Sequence, residues 1–357
     1  MKKFKTLTCD VTEEYYRSFP ALSYSKIAKF EINGPSSLID SPQKTTDSMK
    51  FGSIVDTLLT NAEEFNNKYY VADITKPSEA LCTIVQHILS EVLLLEKDPL
   101  TTFPTLDTLP NEYLIAVLNK FSYRTTLGDE ARLKYLFKEG GNYYVELLKA
   151  NQKEIIPVET YNQAVKLVVN LKNSKFIPSL LFKPTRGIEV LKQAKILFGD
   201  LKSMYDYIII NHNEKTITPI DLKIVDYKTS EFLRSFFKFK YYRQGEVYSA
   251  LLNRVIENDK HFQTYTVLPF MFLVSSKVED KVLQYQFTPT YNENNNLIIF
   301  DKSYPSYLQL IEEINWHLEN KEFTYSKQEF EQNGIIIITT MSKTNTLENT
   351  FLNEENI

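Results

Sequence analysis

Residues 187–230 read GIEVLKQAKILFGDLKSMYDYIIINHNEKTITPIDLKIVDYKTS. The stretch is rich in Ile, Val, Tyr and Thr, which suit a pleated, half-buried surface, and it is punctuated by Gly199 and the polar run Asn211 to Glu214. That pattern predicts about three antiparallel strands. If YDYIII and TITPIDLK pair across the polar run, the turn centre falls between His212 and Asn213, and residue 206 lies opposite about residue 219. Asp221 is then about two residues beyond that partner, roughly 7 Å along the strand, a gap that a bulge or the sheet twist shortens. Two carboxylates that near each other call for a cation between them. The period of two also puts Asp221 and Lys223 on one face, so a metal ligand and an ammonium would share a cleft, with the Leu222 carbonyl as a further oxygen ligand.

Hard oxygen ligands select Mg²⁺ or Mn²⁺, and a lysine beside such a metal can orient the attacking water of a phosphodiester hydrolysis. The same alternation of Asp and Lys also describes a solvated strand face. A second pair, Asp226 and Lys228 in IVDYKTS, repeats the D-x-K spacing. It lies about seven positions past the partner of Asp206, on the order of 20 Å along an extended strand, so geometry favours Asp221 and Lys223 and leaves Asp226/Lys228 as the alternative register.

Downstream, YYRQGEVYSALLNRVIEN predicts an amphipathic helix with Gln244 and Tyr248 one turn apart on one face. Just before it, SFFKFKYYRQ interleaves Lys238, Lys240 and Arg243 with five aromatic side chains, which suits phosphate contacts with bases or sugars packed beside them. Equally, the aromatics could fill a core and the lysines face water. QTYTVLPFMFLVSS and KVLQYQFTP predict two more strands, and YPSYLQLIEEINWHLENKEF a late helix.

Upstream, ALSYSKIAKFEINGPSSLID predicts a short helix capped by Ser23 or Ser25 and ended by Asn33-Gly34-Pro35. MKFGSIVDTLLTNAEEF predicts a second, with Phe51, Val55, Leu58 and Leu59 on its inner face. The chain divides into a helical 1–75, a mostly helical insertion over 76–185, a strand-rich core over 186–340 and a polar tail over 341–357. The expected fold class is α/β (α+β), with a central mixed, largely antiparallel sheet flanked by helices.

At 357 residues, 43 % hydrophobic and 24 % charged, the chain has the balance of an ordinary globular protein able to bury a sizeable core. Two cysteines, Cys9 and Cys82, make no disulfide framework and no four-cysteine zinc site, which suits a reducing, cytoplasmic setting. No secretory signal and no membrane-length apolar run is expected. A net charge of -4 excludes a polycation that coats nucleic acid through overall charge, so such a partner needs a local basic strip. The four histidines lack metal spacing, no Ser/His/Asp set is arranged, and there is no G-x-x-x-x-G-K-[ST] loop.

Asp206, then Asp221-Leu222-Lys223, then Gln244-x-x-x-Tyr248 together resemble the PD-(D/E)XK nuclease superfamily, in its RecB-like, exodeoxyribonuclease VIII-like branch. The small-residue helix start at Ser23 and the G-x-x-x-H/D motif at Gly52 and Asp56 resemble the opening of that branch. The likeness covers roughly residues 15–75 and 185–325. It implies that Asp206 and Asp221 bind Mg²⁺ or Mn²⁺, that Lys223 assists the attacking water, and that Gln244 and Tyr248 help position DNA. Asp56 and Glu189 would be accessory acids, Asp56 standing where many relatives carry a histidine ligand. The resemblance further implies an exonuclease on linear double-stranded DNA for phage or prophage recombination, with a single-strand annealing protein as partner and a homo-oligomeric ring. Two alternatives stand beside it: a nuclease-like module that binds DNA or protein without cutting, and a repair nuclease active only within a helicase complex.

Overall fold

The computed structural model describes residues 7–39, 46–95, 104–175, 177, 181–183 and 185–336. The expected polar tail, 341–357, lies outside them. In chain order the regular elements begin with α1 (Glu13–Ser18), β1 (Leu22–Ser23), α2 (Tyr24–Asn33), α3 (Asp47–Thr60), α4 (Ala62–Lys68), β2 (Tyr69–Ala72) and α5 (Glu79–Leu95). Next come α6 (Asn111–Lys120), α7 (Asp129–Tyr135), α8 (Gly141–Ala150), β3 (Glu154–Pro157) and α9 (Val158–Asn173). The sheet strands β4 (Ile188–Phe198), β5 (Leu201–Asn211) and β6 (Thr216–Val225) lead to α10 (Phe232–Lys238) and α11 (Tyr241–Asn258). The chain continues with β7 (Thr266–Val267), β8 (Phe270–Ser276), β9 (Val282–Phe287), β10 (Leu297–Ile299), β11 (Lys302–Tyr304), α12 (Tyr307–Asn320) and α13 (Lys327–Glu331).

The stretch 187–230 folds as the antiparallel run β4, β5 and β6, as its β-branched and aromatic residues dictate. The connection through α10 and α11 then brings β8 back parallel to β6, and β9 returns antiparallel to β8. The result is a mixed sheet flanked by helices, with β6 between β5 and β8. Strand alternation feeds two cores. Ile208, Ile210, Phe270, Phe272 and Val274 pack with α2, α10, α11 and α12, while Tyr207, Ile209, Ile220, Met271 and Leu273 pack with α3 and α9.

Local chemistry sets the helix ends. Gly34, at φ 71°, ends α2, and Pro35 starts the following turn. Ser23 is the N-cap residue of α2, but its hydroxyl bonds to Ser25 Oγ at 2.8 Å instead of a backbone N–H. Thr46 caps α3, and Ser306 with Gln309 forms a capping box on α12. Gly245 lets α11 press onto the sheet, since a Cβ there would sit 2.6 Å from the Phe287 ring. The first half of α11 is consequently buried all round, Tyr242 through Ser249, and is not the amphipathic helix its sequence suggested.

Within the helical stretch 76–185, α5 to α8 form their own apolar core between the short parallel strands β2 and β3. The last helix, α9, instead packs on α3 and under the sheet. At the N-terminus, the Lys202 ammonium on β5 donates to the carbonyls of Tyr16, Arg17 and Phe19 at 3.0, 2.9 and 2.7 Å, which fastens the end of α1 to the sheet. No helix among the described residues is long and apolar enough to cross a membrane.

Candidate active site

The β5–β6 hairpin closes one residue later than the simple reading of its turn. Asn211 Oδ1 accepts the N–H groups of Asn213 and Glu214, both at 3.1 Å, and Lys215 takes a left-handed conformation at φ 53°. This Asx-type turn moves the centre to between Asn213 and Glu214, and each strand partner moves by two residues. The ladder runs from Asn211↔Thr216 to Tyr207↔Ile220, so the next pair in register is Asp206 opposite Asp221. The expected partner near residue 219 is thereby corrected, and no bulge in β6 is needed to bring the acids together.

The ladder stops one position short of that pair, at Tyr207↔Ile220. Leu222 N–H donates to Asp206 Oδ2 at 2.6 Å, so a side chain takes the amide. Beyond it β6 follows β8, with Asp221 beside Phe272, and the two carboxylates stand where β5 and β6 part. Across the other edge of β5, Gln193 lies opposite Asp206 between the pairs Lys192↔Tyr207 and Ala194↔Tyr205, and it holds φ 47° in mid-strand. β5 changes face there too: Tyr205 packs toward α11, and Tyr207 toward α3 and α9.

Asp221 is 5 % exposed, which makes its partners decisive. Lys223 Nζ lies 2.7 Å from its Oδ2, and Gln244 Nε2 donates to its Oδ1 at 2.5 Å. Gln244 Oε1 in turn accepts from Lys223 Nζ at 3.0 Å, so one carboxamide ties acid and ammonium into a closed triangle. The Tyr241 ring lies 4.3 Å from the same ammonium. Burial works against the Lys223 charge, but Asp221, then Tyr24 and Tyr241, outweigh it and hold the ammonium protonated well above its ordinary range. Burial pushes Tyr24 up to about 12.

Asp206 is held well above the usual carboxylate range by burial, then by the neighbouring charges of Asp221 and Asp56, with the Leu222 N–H as partial relief. Asp56 reaches the same neighbourhood from α3. Gln193 Nε2 donates to its Oδ2 at 2.7 Å, while its buried Oδ1 has no hydrogen-bond partner, and burial again raises its pKa. Asp221 Oδ2 likewise has the ion pair but no well-directed hydrogen bond. No three His, Cys, Asp or Glu side chains among the described residues converge as a ready metal cage. The donor set is narrower: the crowded carboxylates Asp206 and Asp221, of which Asp221 keeps an oxygen without a hydrogen bond, form a hard-oxygen pair that fits a small divalent cation such as Mg²⁺ or Mn²⁺.

Other expected site residues lie elsewhere. Glu189 pairs with Ile210 in register, four positions from Asp206, and its carboxylate meets His212 at 3.3 Å near the hairpin turn, so it is no accessory acid of this site. Arg243 is fully buried between Glu31 and Glu246 and donates to the Pro305 carbonyl at 2.9 Å, which rules out a DNA contact. Tyr248 is buried among Tyr24, Tyr205 and Phe270, and its hydroxyl accepts the Met204 N–H, so it supports the core and touches no substrate. Gln244, by contrast, sits beside the site on its helix as expected, with its carboxamide on Asp221 and Lys223. Lys240 is half-buried 3.6 Å from Glu31, while Lys238 is exposed. Asp226 and Lys228 are exposed beyond the end of β6, outside the triangle.

Two residues of the site were not singled out from sequence, Gln193 and Tyr24, and Tyr241 was read only as part of the aromatic strip SFFKFKYYRQ, not as a neighbour of Lys223. A glutamine inside a strand carries no signal of a left-handed φ, and nothing in the sequence around Tyr24 sets it apart. No family model matches the chain, and no curated protein matches it.

Proposed function

We propose that the protein is a metal-dependent phosphodiesterase of the PD-(D/E)XK kind that hydrolyses DNA. The observation that carries this reading is the pairing of Asp206 with Asp221 at the parting of two strands, with the Lys223 ammonium 2.7 Å from Asp221. Asp206 and Asp221 would hold the cation, with the carbonyl of Leu222, which follows Asp221, as a further oxygen ligand. When bound, Mg²⁺ or Mn²⁺ polarises the scissile phosphate and lowers the pKa of a coordinated water. The Asp221 carboxylate beside Lys223 favours its charged form, and the ammonium would orient the attacking water and offer positive charge toward the phosphate. Gln244 fixes the angle between Lys223 and Asp221, and the Tyr241 ring limits water access to the ammonium. Asp56, steadied by Gln193, adds negative charge beside Asp206.

At finer grain, the sequence resemblance supports an exonuclease acting on linear duplex DNA in phage or prophage recombination, alongside a single-strand annealing protein and as a ring of identical chains. The test is degradation of linear and of closed circular duplex DNA with Mg²⁺ or Mn²⁺ by the wild type, Asp206→Asn, Asp221→Asn and Lys223→Met. Each substitution is expected to lower the rate by about 100-fold or more, as loss of a charge-stabilising group does in other sites. Undiminished cutting by Asp206→Asn and Asp221→Asn would end the proposal, and loss on Lys228→Ala but not on Lys223→Met would move the site to the other D-x-K pair.

A further inference from the structure

The turn between β10 and β11 is built from Phe300 and Asp301, both left-handed at φ 46° and 61°. Two consecutive left-handed residues in a two-residue hairpin make a type I′ turn, which strongly prefers Asn-Gly. A phenylalanine is among the poorest residues for the first position, because its Cβ crowds the backbone when φ is positive. Burial does not compensate: Phe300 is 70 % exposed. Local propensity does not explain an aromatic here, its contact with Phe237 leaves most of the ring in water, and a strained, exposed side chain of this kind points to a surface role.

Its surroundings give that role a chemistry. The Phe300 ring lies 6.1 Å from Phe237 on α10 and, with Leu233, Phe236, Phe272, Tyr285 and Ile299, lines an apolar hollow of about 100 Å³. Leu233 and Phe239 are also exposed. Phe239 lies 5.8 Å from Tyr241, the ring that covers the Lys223 ammonium, so the aromatic surface around α10 begins at the candidate active site. Exposed cations flank it: Arg234, whose guanidinium reaches Glu231 at 3.3 Å, Lys238, which lies 5.5 Å over the Phe239 ring, and Lys302. Asp301 is the exposed acid of the turn itself.

We propose that Phe300, with Phe239 and the cations Arg234, Lys238 and Lys302, forms a stacking platform for the unpaired bases of a nucleic-acid single strand. Aromatic faces take any base by stacking, and interspersed cations take the phosphates, which is the combination found here. The inference rests on the phosphodiesterase reading only in its choice of nucleic acid as the occupant. It adds a grip on a single strand outside the metal-binding carboxylates, and it gives the exposed half of SFFKFK a use that the buried Arg243 and Tyr242 do not have.

The test uses the full chain in EDTA, so that cutting cannot intervene. Binding of a labelled oligo-dT of about 15 nucleotides, and of a blunt duplex of similar length, is followed by fluorescence anisotropy across salt. Phe300→Gly relieves the left-handed strain, so its thermal midpoint should equal or exceed that of the wild type. Its affinity for oligo-dT should fall about tenfold while duplex affinity changes by less than about twofold, and Phe300→Trp should bind as the wild type does. Lys238→Ala should reduce the salt slope by about one. Unchanged oligo-dT binding by Phe300→Gly, or no oligo-dT binding by the wild type, overturns the platform. So does a Phe300→Gly variant that merely shifts the sedimentation of the protein toward monomer, since the patch is then a contact between copies. Cleavage of linear duplex with Mn²⁺, measured in parallel, judges the active-site reading separately.

Discussion

Asp206 occupies an uncomfortable position for a carboxylate, facing Asp221 across two parting strands with Asp56 behind it. Its pKa is raised in the folded protein above the unfolded value near 4, so the native state binds more protons than the unfolded chain, and stability falls as pH rises through that window. Asp206→Asn removes this penalty. Calorimetry in EDTA should therefore find the variant more stable than the wild type at pH 7, with the difference vanishing below about pH 4. Adding Mn²⁺ at pH 7 should raise the melting temperature of the wild type and leave that of Asp206→Asn nearly unmoved, because a ligand that binds only the native state stabilises it by mass action. A wild type that melts at the same temperature with and without Mn²⁺ would contradict the assignment of these carboxylates as cation ligands.

At the scale of elements, α11 is the frame of the site: Tyr241 and Gln244 reach Lys223 from its first turn, and Arg243 anchors that turn from the opposite side. The Arg243 guanidinium meets Glu31 of α2, Glu246 of its own helix and the carbonyl that precedes α12. Arg243→Met leaves the buried Glu246 without a counter-charge and Glu31 with Lys240 alone, and should destabilise the fold by about 3–5 kcal/mol in urea unfolding. The salt dependence of DNA binding should not change, which separates this structural role from a phosphate contact. Sequence pattern alone could not assign it. Arg243 sits in a strip of Lys, Phe and Tyr that reads as basic surface, and its partner Glu31 is 212 positions away in a helix whose sequence gives no sign of the contact. Asp221 and Lys223 were legible because a period of two is a property of any strand. The facing of Asp206 and Asp221 was legible only approximately, because the turn is set by one Asn211 carboxamide that takes two amides.

Over the whole molecule, the alternation of helical and strand-rich stretches was readable as a mixed sheet between helices. The division of labour inside the helical stretch was not, because an apolar face on α5 or on α9 does not say which of two cores receives it. The separate core of α5 to α8 makes a prediction. Ile88, fully buried there, should cost about 2–5 kcal/mol of local stability when replaced by Ala, yet leave the Mn²⁺-dependent cutting rate within about twofold of wild type. A rate that falls with Ile88→Ala at temperatures where the protein stays folded would show that this subdomain is coupled to the site.

The amide of Leu222, bonded at 2.6 Å to a carboxylate oxygen and not to a peptide carbonyl, gives the molecule an internal spectroscopic reporter. Its proton is deshielded by the charge of Asp206, so a single ¹H–¹⁵N resonance will register titration of that acid, arrival of a cation and departure of a product, each without any label near the cleft.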